Sequence, residues 1–403
     1  MKPIAKTIYM LVVMGILLVA IKVYFAQNNI ESTTELESYG WYYKALFYGN
    51  IFISIASILS FIYYRQYFPY YITLCYVGLL ISVFIASFSS FGEYLKTPSF
   101  LYSSKGIGTF INIGLIFFTA EIIYTKKIFK VFYYLCFFFI LAGLLNLAKV
   151  GIGAGRNQFL YAILDFTIYL IWVFPYFFLQ KHENKKLNII NLFIFLILFL
   201  FVLSIGARSY LAIYFIFLII KFKEQLQRKN SILFIVGVFI LVGATFLLVS
   251  NSGLSKIAEG AFTNLSERAS EDSRSGQLTE FWDQYDFHNF LSGVGPTGTW
   301  VWSVAGIYAF LDNQFLLIGW WAGAPTLIIY VYFLVKSFFY KRDYIEDEPV
   351  KGLQLIIGLW ILACLGFAIY VSLSSELYYY FITLLMGLHV CNLQKIKTDS
   401  NFE

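Results

Sequence analysis

Residues 187–222 read LNIINLFIFLILFLFVLSIGARSYLAIYFIFLIIKF. The stretch is apolar except around Ser204-Ile205-Gly206-Ala207-Arg208-Ser209. At 1.5 Å per residue, one helix of that length would run roughly 54 Å, far beyond a hydrocarbon core of about 30 Å. It would also put the lysines before it (Lys181, Lys185, Lys186) and those after it (Lys221, Lys223) on opposite sides of a bilayer. Two short spans meeting at Gly206 keep both clusters on one side. That reading sinks Arg208 below the opposite surface, at the start of the second span.

Composition fixes the setting for this reading. The chain has 403 residues, 60% of them hydrophobic and only 13% charged, against about 25% charged in soluble domains. Its mean hydropathy is +0.72. A chain so apolar cannot cover a globule with polar surface, which excludes a soluble enzyme, a secreted disulfide scaffold and a disordered chain. The 44 Phe and 32 Tyr suit membrane interfaces. The net charge of +6 is a matter of topology and implies no nucleic-acid partner. Cys75, Cys136, Cys364 and Cys391 all lie in or at the end of apolar runs, so no disulfide framework is expected. The first apolar run is too long for a signal-peptide core, is interrupted by Lys22 and is followed by no cleavage site; it reads as a retained span.

About twelve runs meet the length of a membrane-crossing helix. They begin near Thr7, Trp41, Phe68, Ile107, Val131, Gln158, Leu187, Ser209, Ser231, Asn313, Leu353 and Leu377. The expected fold class is therefore all-α: a polytopic integral membrane protein with one large external loop carrying amphipathic helices. Alternate connections differ in charge. One set collects Lys126, Lys127 and Lys130, then Lys181, Lys185 and Lys186, then Lys221, Lys223, Arg228 and Lys229, then Lys341 and Arg342. The other set is poorer in basic residues although its loops are longer. By the positive-inside rule the first set is cytoplasmic, and so are both termini. Three regions follow: a membrane domain of about nine spans over residues 1–250, the external loop over 251–312, and three spans with a short tail over 313–403. In the loop, Leu254, Ile257, Ala258, Ala261, Phe262 and Leu265 recur at helical spacing, as do Leu278, Phe281, Trp282 and Tyr285. Trp300 and Trp302 read as a return to the interface.

Four arginines fall on the external side: Arg156, Arg208, Arg268 and Arg274. Lysine suffices for topology, whereas arginine offers a permanently charged planar fork matched to phosphate oxygens. Arg156 and Arg208 also open helices, where free N–H groups favour an anion. Taken singly, each arginine reads first as a side chain snorkelling to lipid head groups, whereas the four together favour the phosphate reading. The carboxylates Glu280 and Asp283, with His288, read first as the solvated face of the loop helices. Asp312 stands apart, because it lies where the loop re-enters the membrane. Asp165 lies about two turns inside the sixth span, where an ionisable group is either functional or the partner of a buried arginine. No Walker loop, no Cys/His cluster with metal-ligand spacing and no nucleophile elbow occurs in the sequence.

Three short elements carry a resemblance. Ser204-Ile205-Gly206-Ala207-Arg208-Ser209-Tyr210-Leu211 resembles the S-R-g-x-l element of the bacterial O-antigen polymerase (Wzy-type) and ligase families. Gly293-Val294-Gly295 resembles their G-x-G element. Asp312-Asn313-Gln314-Phe315-Leu316 with Gly319 and Gly323 resembles their [HD]-N-x-[yf]-L…G-x-x-G element. Order and spacing agree, over roughly residues 204–334. The resemblance implies a glycosyltransferase of the bacterial cytoplasmic (inner) membrane that builds lipopolysaccharide O-antigen, capsule or a related surface polysaccharide without cofactor or metal. Donor and acceptor would be oligosaccharides on undecaprenyl diphosphate, with membrane lipids around the protein and a chain-length regulator as a further partner. Arg156, Arg208, Arg268 and Arg274 would hold the diphosphate. Asp312 and Arg208 would be catalytic, with Asp283, Glu280, His288 and Asp165 as alternative acid/base groups. The ligases carry histidine where this chain has Asp312, which favours a polymerase. A ligase acting on lipid A-core and a lipid-linked oligosaccharide flippase are the alternatives.

The charge asymmetry makes a topological prediction. A cysteine introduced at Gln277 should react with a membrane-impermeant thiol reagent added to intact cells, and one at Gln227 should not. Labelling at Gln227 would reverse the orientation.

Overall fold

The computed structural model describes residues 3–28, 41–88, 107–125, 127–150, 156–180, 185–205, 208–226, 273–285, 287–303, 306–308, 311, 313–340, 350–367 and 377–392. The expected span from Ser231, the amphipathic segment 254–265, Arg268 and Asp312 lie outside these residues. The described chain is mostly helical. In order it forms α1 (Pro3–Asn28), α2 (Trp41–Tyr64) with a 3-10 turn at Arg65–Tyr67, α3 (Tyr70–Ser87), α4 (Ile107–Asn112), α5 (Leu115–Thr125), α6 (Lys127–Val150), α7 (Arg156–Leu179), α8 (Lys185–Ile205), α9 (Arg208–Leu226), α10 (Ser273–Asp283), α11 (Phe287–Ser292), β1 (Trp300–Trp302), β2 (Gly306–Tyr308), α12 (Gln314–Phe338), α13 (Val350–Leu362) running into a π-turn at Ala363–Phe367, and α14 (Leu377–Val390). One finding departs from an all-α chain. β1 and β2 pair antiparallel, Val301 opposite Ile307, so Trp300 and Trp302 belong to a hairpin.

Seven described helices, of 18 to 25 residues, are long and apolar enough to cross a membrane, and four shorter apolar helices accompany them. Exposure supports a multi-pass protein. On α3 the exposed stripe is Tyr70, Leu74, Val77, Ile81, Phe84 and Ile85, and the opposite stripe, from Ile72 to Val83, is buried. A soluble protein does not present so continuous an apolar face to water.

The chain forms two compact units. The first comprises residues 1–22, 38–132 and 273–403, and α14 is its centre, with every residue from Leu377 to Val390 buried. Gly387 lets α14 touch α5, because a Cβ there would lie 2.4 Å from the Ile116 carbonyl oxygen. Small residues bring membrane helices close in this way, where no hydrophobic force distinguishes protein from lipid. A polar seam crosses the same unit. Ser54 donates to Asn112 Oδ1 at 2.9 Å, and Tyr380 donates to Asn50 Oδ1. Between α4 and α5 the helix breaks at Ile113–Gly114, and the Tyr76 hydroxyl donates to the Ile111 carbonyl at 3.0 Å.

The second unit comprises residues 23–37 and 133–272. Its centre is α7, buried from Phe166 to Leu179. The last carbonyls of a helix lack internal donors, and here side chains supply them: Asn191 Nδ2 reaches the Phe177 oxygen and Lys221 Nζ the Gln180 oxygen, each at 3.4 Å. Phe178, Phe195 and Tyr214 stack in series, with centroids 4.1 and 4.2 Å apart, tying α7, α8 and α9 together. α8 ends at Ile205 and α9 begins at Arg208. The two helices fold back on each other, so that Phe199 also meets Tyr214. The long apolar run of residues 187–222 is thus two helices, one ending at Ile205 and the next beginning at Arg208.

Candidate functional site

Helix α12 starts from a strong cap. Asn313 Oδ1 accepts from the backbone N–H groups of Phe315 and Leu316, both at 3.0 Å, which satisfies two of the four orphan donors of the helix. The other end of the same amide donates to the Leu365 carbonyl at 3.4 Å, within the π-turn. Such turns release a carbonyl from the helical ladder. Asn313 therefore ties the entrance of α12 to the helix formed by α13 and its π-turn.

One third of the way along, α12 breaks. Gly323 has φ 85° and ψ 162°, a region open essentially to glycine alone, and Pro325 follows. The break would orphan the preceding carbonyls. Val294 N–H bonds the Trp320 oxygen and Gly295 N–H the Trp321 oxygen, both at 2.9 Å, and Thr326 Oγ1 reaches the Ala322 oxygen at 2.7 Å. The fit is close on both sides. Gly293 and Gly295 have φ 79° and 81°. A Cβ on Gly293 would lie 2.7 Å from Gly323 N and Trp321 O, and one on Gly323 would lie 2.9 Å from the Leu291 oxygen. At Gly319, α11 rests on α12, since a Cβ there would lie 2.5 Å from the Phe290 ring. Two of the quoted elements, Gly293-Val294-Gly295 and Asn313 through Gly323, are thus one object held by backbone hydrogen bonds.

The segment before this lock is ordered by side chains. Gln284 closes on both backbone groups of Val301, donating to its oxygen at 2.6 Å and accepting from its N–H at 2.9 Å. The Glu280 carboxylate accepts from Ser303 N–H at 2.7 Å and from Ser303 Oγ at 2.5 Å. These bonds hold its pKa below the ordinary carboxylate value. An aromatic cluster lies beneath: Phe281 stacks on Tyr285 and meets Trp300 and Trp320 edge-on. Burial raises the Tyr285 phenol pKa.

The candidate residues fall as follows. Arg156 is the first residue of α7 and Arg208 the first of α9, as expected, and Arg274 is the second residue of α10. Asp312 lies outside the described residues, between buried Leu311 and the cap residue Asn313. Asp165 lies nine residues into α7 and is half-buried. Asp283 and His288 are exposed. Glu280 is committed to Ser303, which makes it a brace of the hairpin and a poor candidate base. A further ionisable group, outside the candidates read from sequence, is Glu121 on α5. It is buried and accepts from the Tyr64 hydroxyl at 3.4 Å. The signal for it was legible, since a lone carboxylate inside an apolar run is a functional candidate by default.

The glycine pair makes a stability prediction. Gly293→Ala and Gly323→Ala should each destabilise the full chain, by about 1–3 kcal/mol for the forced backbone conformation. The double variant should cost less than the sum, because both break one contact. Gly276→Ala, in α10 with open space around it, should be neutral or slightly stabilising. Thermal unfolding of the detergent-solubilised chain reads all four, and melting of the 293 and 323 variants at the parental temperature would contradict the lock.

Comparison with protein-family models, with characterised proteins and with solved structures gave no match to this chain.

Proposed function

We propose that the chain is a surface-polysaccharide polymerase of the O-antigen polymerase type. The reading starts from the three short elements of sequence. What supports it most is the contact between two of them: Gly293-Val294-Gly295 supplies the donors that the break of α12 at Gly323 leaves wanting. Two separate elements joined at one broken helix are read here as parts of a single site. About twelve spans with both termini cytoplasmic, and an external face carrying residues 251–312, complete the arrangement.

The reaction would be a direct displacement. A hydroxyl oxygen of the terminal sugar on the acceptor attacks the anomeric carbon of the growing glycan. The bond from that carbon to the diphosphate oxygen breaks with inversion, and undecaprenyl diphosphate leaves as the anion. The hydroxyl proton passes to a carboxylate, assigned to Asp312. Charge grows on the leaving diphosphate, so fixed cations stabilise the transition state beyond the ground state. Arg208, Arg156, Arg268 and Arg274 take that role. Arg208 carries the strongest argument: a charge below the membrane surface costs roughly 2.5–3.5 kcal/mol on insertion scales, which a merely topological residue avoids by sitting one turn further out.

A second reading has its own observation. Helices broken within the membrane, as at Gly323 and at Ile113–Gly114, line binding sites in transporters, and a lipid-linked oligosaccharide flippase would use them so. Deleting the gene in its host and resolving the surface polysaccharide on a gel separates the readings. Single repeat units on the core mean a polymerase, free core with accumulated long lipid-linked glycan means a ligase, and internal accumulation without either means a flippase. In the polymerase case Asp312→Asn should abolish chain extension at normal protein abundance. Arg208→Lys, which keeps the charge and loses the fork, should lose most activity. Arg208→Ala should fall by about 100- to 1000-fold. Normal chain length from Arg208→Lys would return Arg208 to the role of a topological charge.

A further inference from the structure

The start of α1 carries a groove that none of the preceding chemistry uses. α1 packs inward through Ala5, Ile8, Val12, Ile16 and Val19, all buried. Its contact with α2 is tightest at two glycines: a Cβ on Gly15 would lie 2.9 Å from the Gly49 oxygen, and one on Gly49 would lie 3.0 Å from the Gly15 oxygen. On the N-terminal side of this crossing the helices leave a groove of about 290 Å³, lined by Lys6, Thr7, Met10, Leu11, Met14 and Phe52. Lys6 stands at the first turn of α1 and Met14 two turns further in. At 1.5 Å per residue the groove runs about 12 Å along α1.

The walls are chemically uneven. Met10 and Met14 are 53% and 47% exposed, and their flexible thioethers adapt to a partner without a fixed shape. The mouth carries a positive charge: Lys6 is exposed, and among the described residues it has neither an ion pair nor a hydrogen bond. Thr7 spends its hydroxyl proton on the Pro3 carbonyl at 3.0 Å. A soft apolar slot opening on an exposed ammonium is complementary to a fatty chain ending in a phosphate.

We propose that this groove binds an anionic phospholipid, one acyl chain lying along Met10 and Met14 against Phe52 and the phosphate meeting Lys6. The site is independent of the polymerase reading. The charge asymmetry of the loops puts Lys6 at the cytoplasmic leaflet, which is the anionic one. Within the groove the chain fills space that α1 and α2 leave open as they part from Gly15 and Gly49.

Native mass spectrometry of the detergent-solubilised full chain tests this, with phosphatidylglycerol and phosphatidylcholine titrated separately. The parent should retain phosphatidylglycerol in preference to phosphatidylcholine. Lys6→Gln, an exposed substitution that spares the fold, should weaken phosphatidylglycerol about five-fold and abolish the preference. Met10→Trp, which fills the slot and keeps the charge, should lose both lipids while the melting temperature holds. Equal retention of the two lipids by the parent, or unchanged phosphatidylglycerol binding by Lys6→Gln, would overturn the assignment. A dimer occupying the face in place of lipid would overturn it equally.

Discussion

Inside a membrane a carbonyl that loses its helical donor cannot turn to water, and each unmet group costs several kcal/mol. Helix α12 breaks its own ladder at Gly323 and depends on another segment to repair it. Val294 and Gly295 donate to the Trp320 and Trp321 oxygens. Much of the first unit follows from that exchange. The donating segment must approach within van der Waals distance, which demands glycine at 293 and at 323. It must also be held in place, and this is the work of α11 on Gly319, of the Phe281–Tyr285–Trp300–Trp320 cluster, and of the Glu280 and Gln284 braces on the hairpin.

Helix α12 is repaired at its break by two backbone donors and by the Thr326 hydroxyl. Its fixed points include Asn313, whose amide caps α12 and reaches the π-turn at Leu365. Asp312, the carboxylate proposed as a base, precedes it by one residue in the sequence. Arg156 and Arg208 begin α7 and α9, each at the end of a helix where N–H groups add to the positive charge.

Much of this was legible in the sequence because the bilayer imposes length. The run of residues 187–222 was too long for one helix, and it proved to be divided between α8 and α9. Arg156 and Arg208 are the first residues of their helices. Gly293 and Gly323 were visible as motif residues, but their mutual contact was not, since pairing between segments leaves no trace in one chain's periodicity. Pro325 was the available hint of a break in α12. The hairpin was missed because Trp300 and Trp302 suit an interface as well as a strand. Glu121 and the Asn50–Tyr380 and Ser54–Asn112 pairs escaped notice for a different reason. Single polar residues in apolar runs do not disturb a hydropathy count, although they specify which helices meet.

The repair of α12 by residues 293–295 can be read directly by hydrogen exchange. In the full chain reconstituted in lipid, peptides covering Val294 and Gly295 should exchange as slowly as those from the body of α12, because their N–H groups are bonded to the Trp320 and Trp321 carbonyls. The Gly323→Ala variant should release that protection while the protection of α14 persists. Exchange of Val294 and Gly295 at the rate of an open loop in the parent would contradict the account, for the carbonyls at the break would then have found their donors elsewhere.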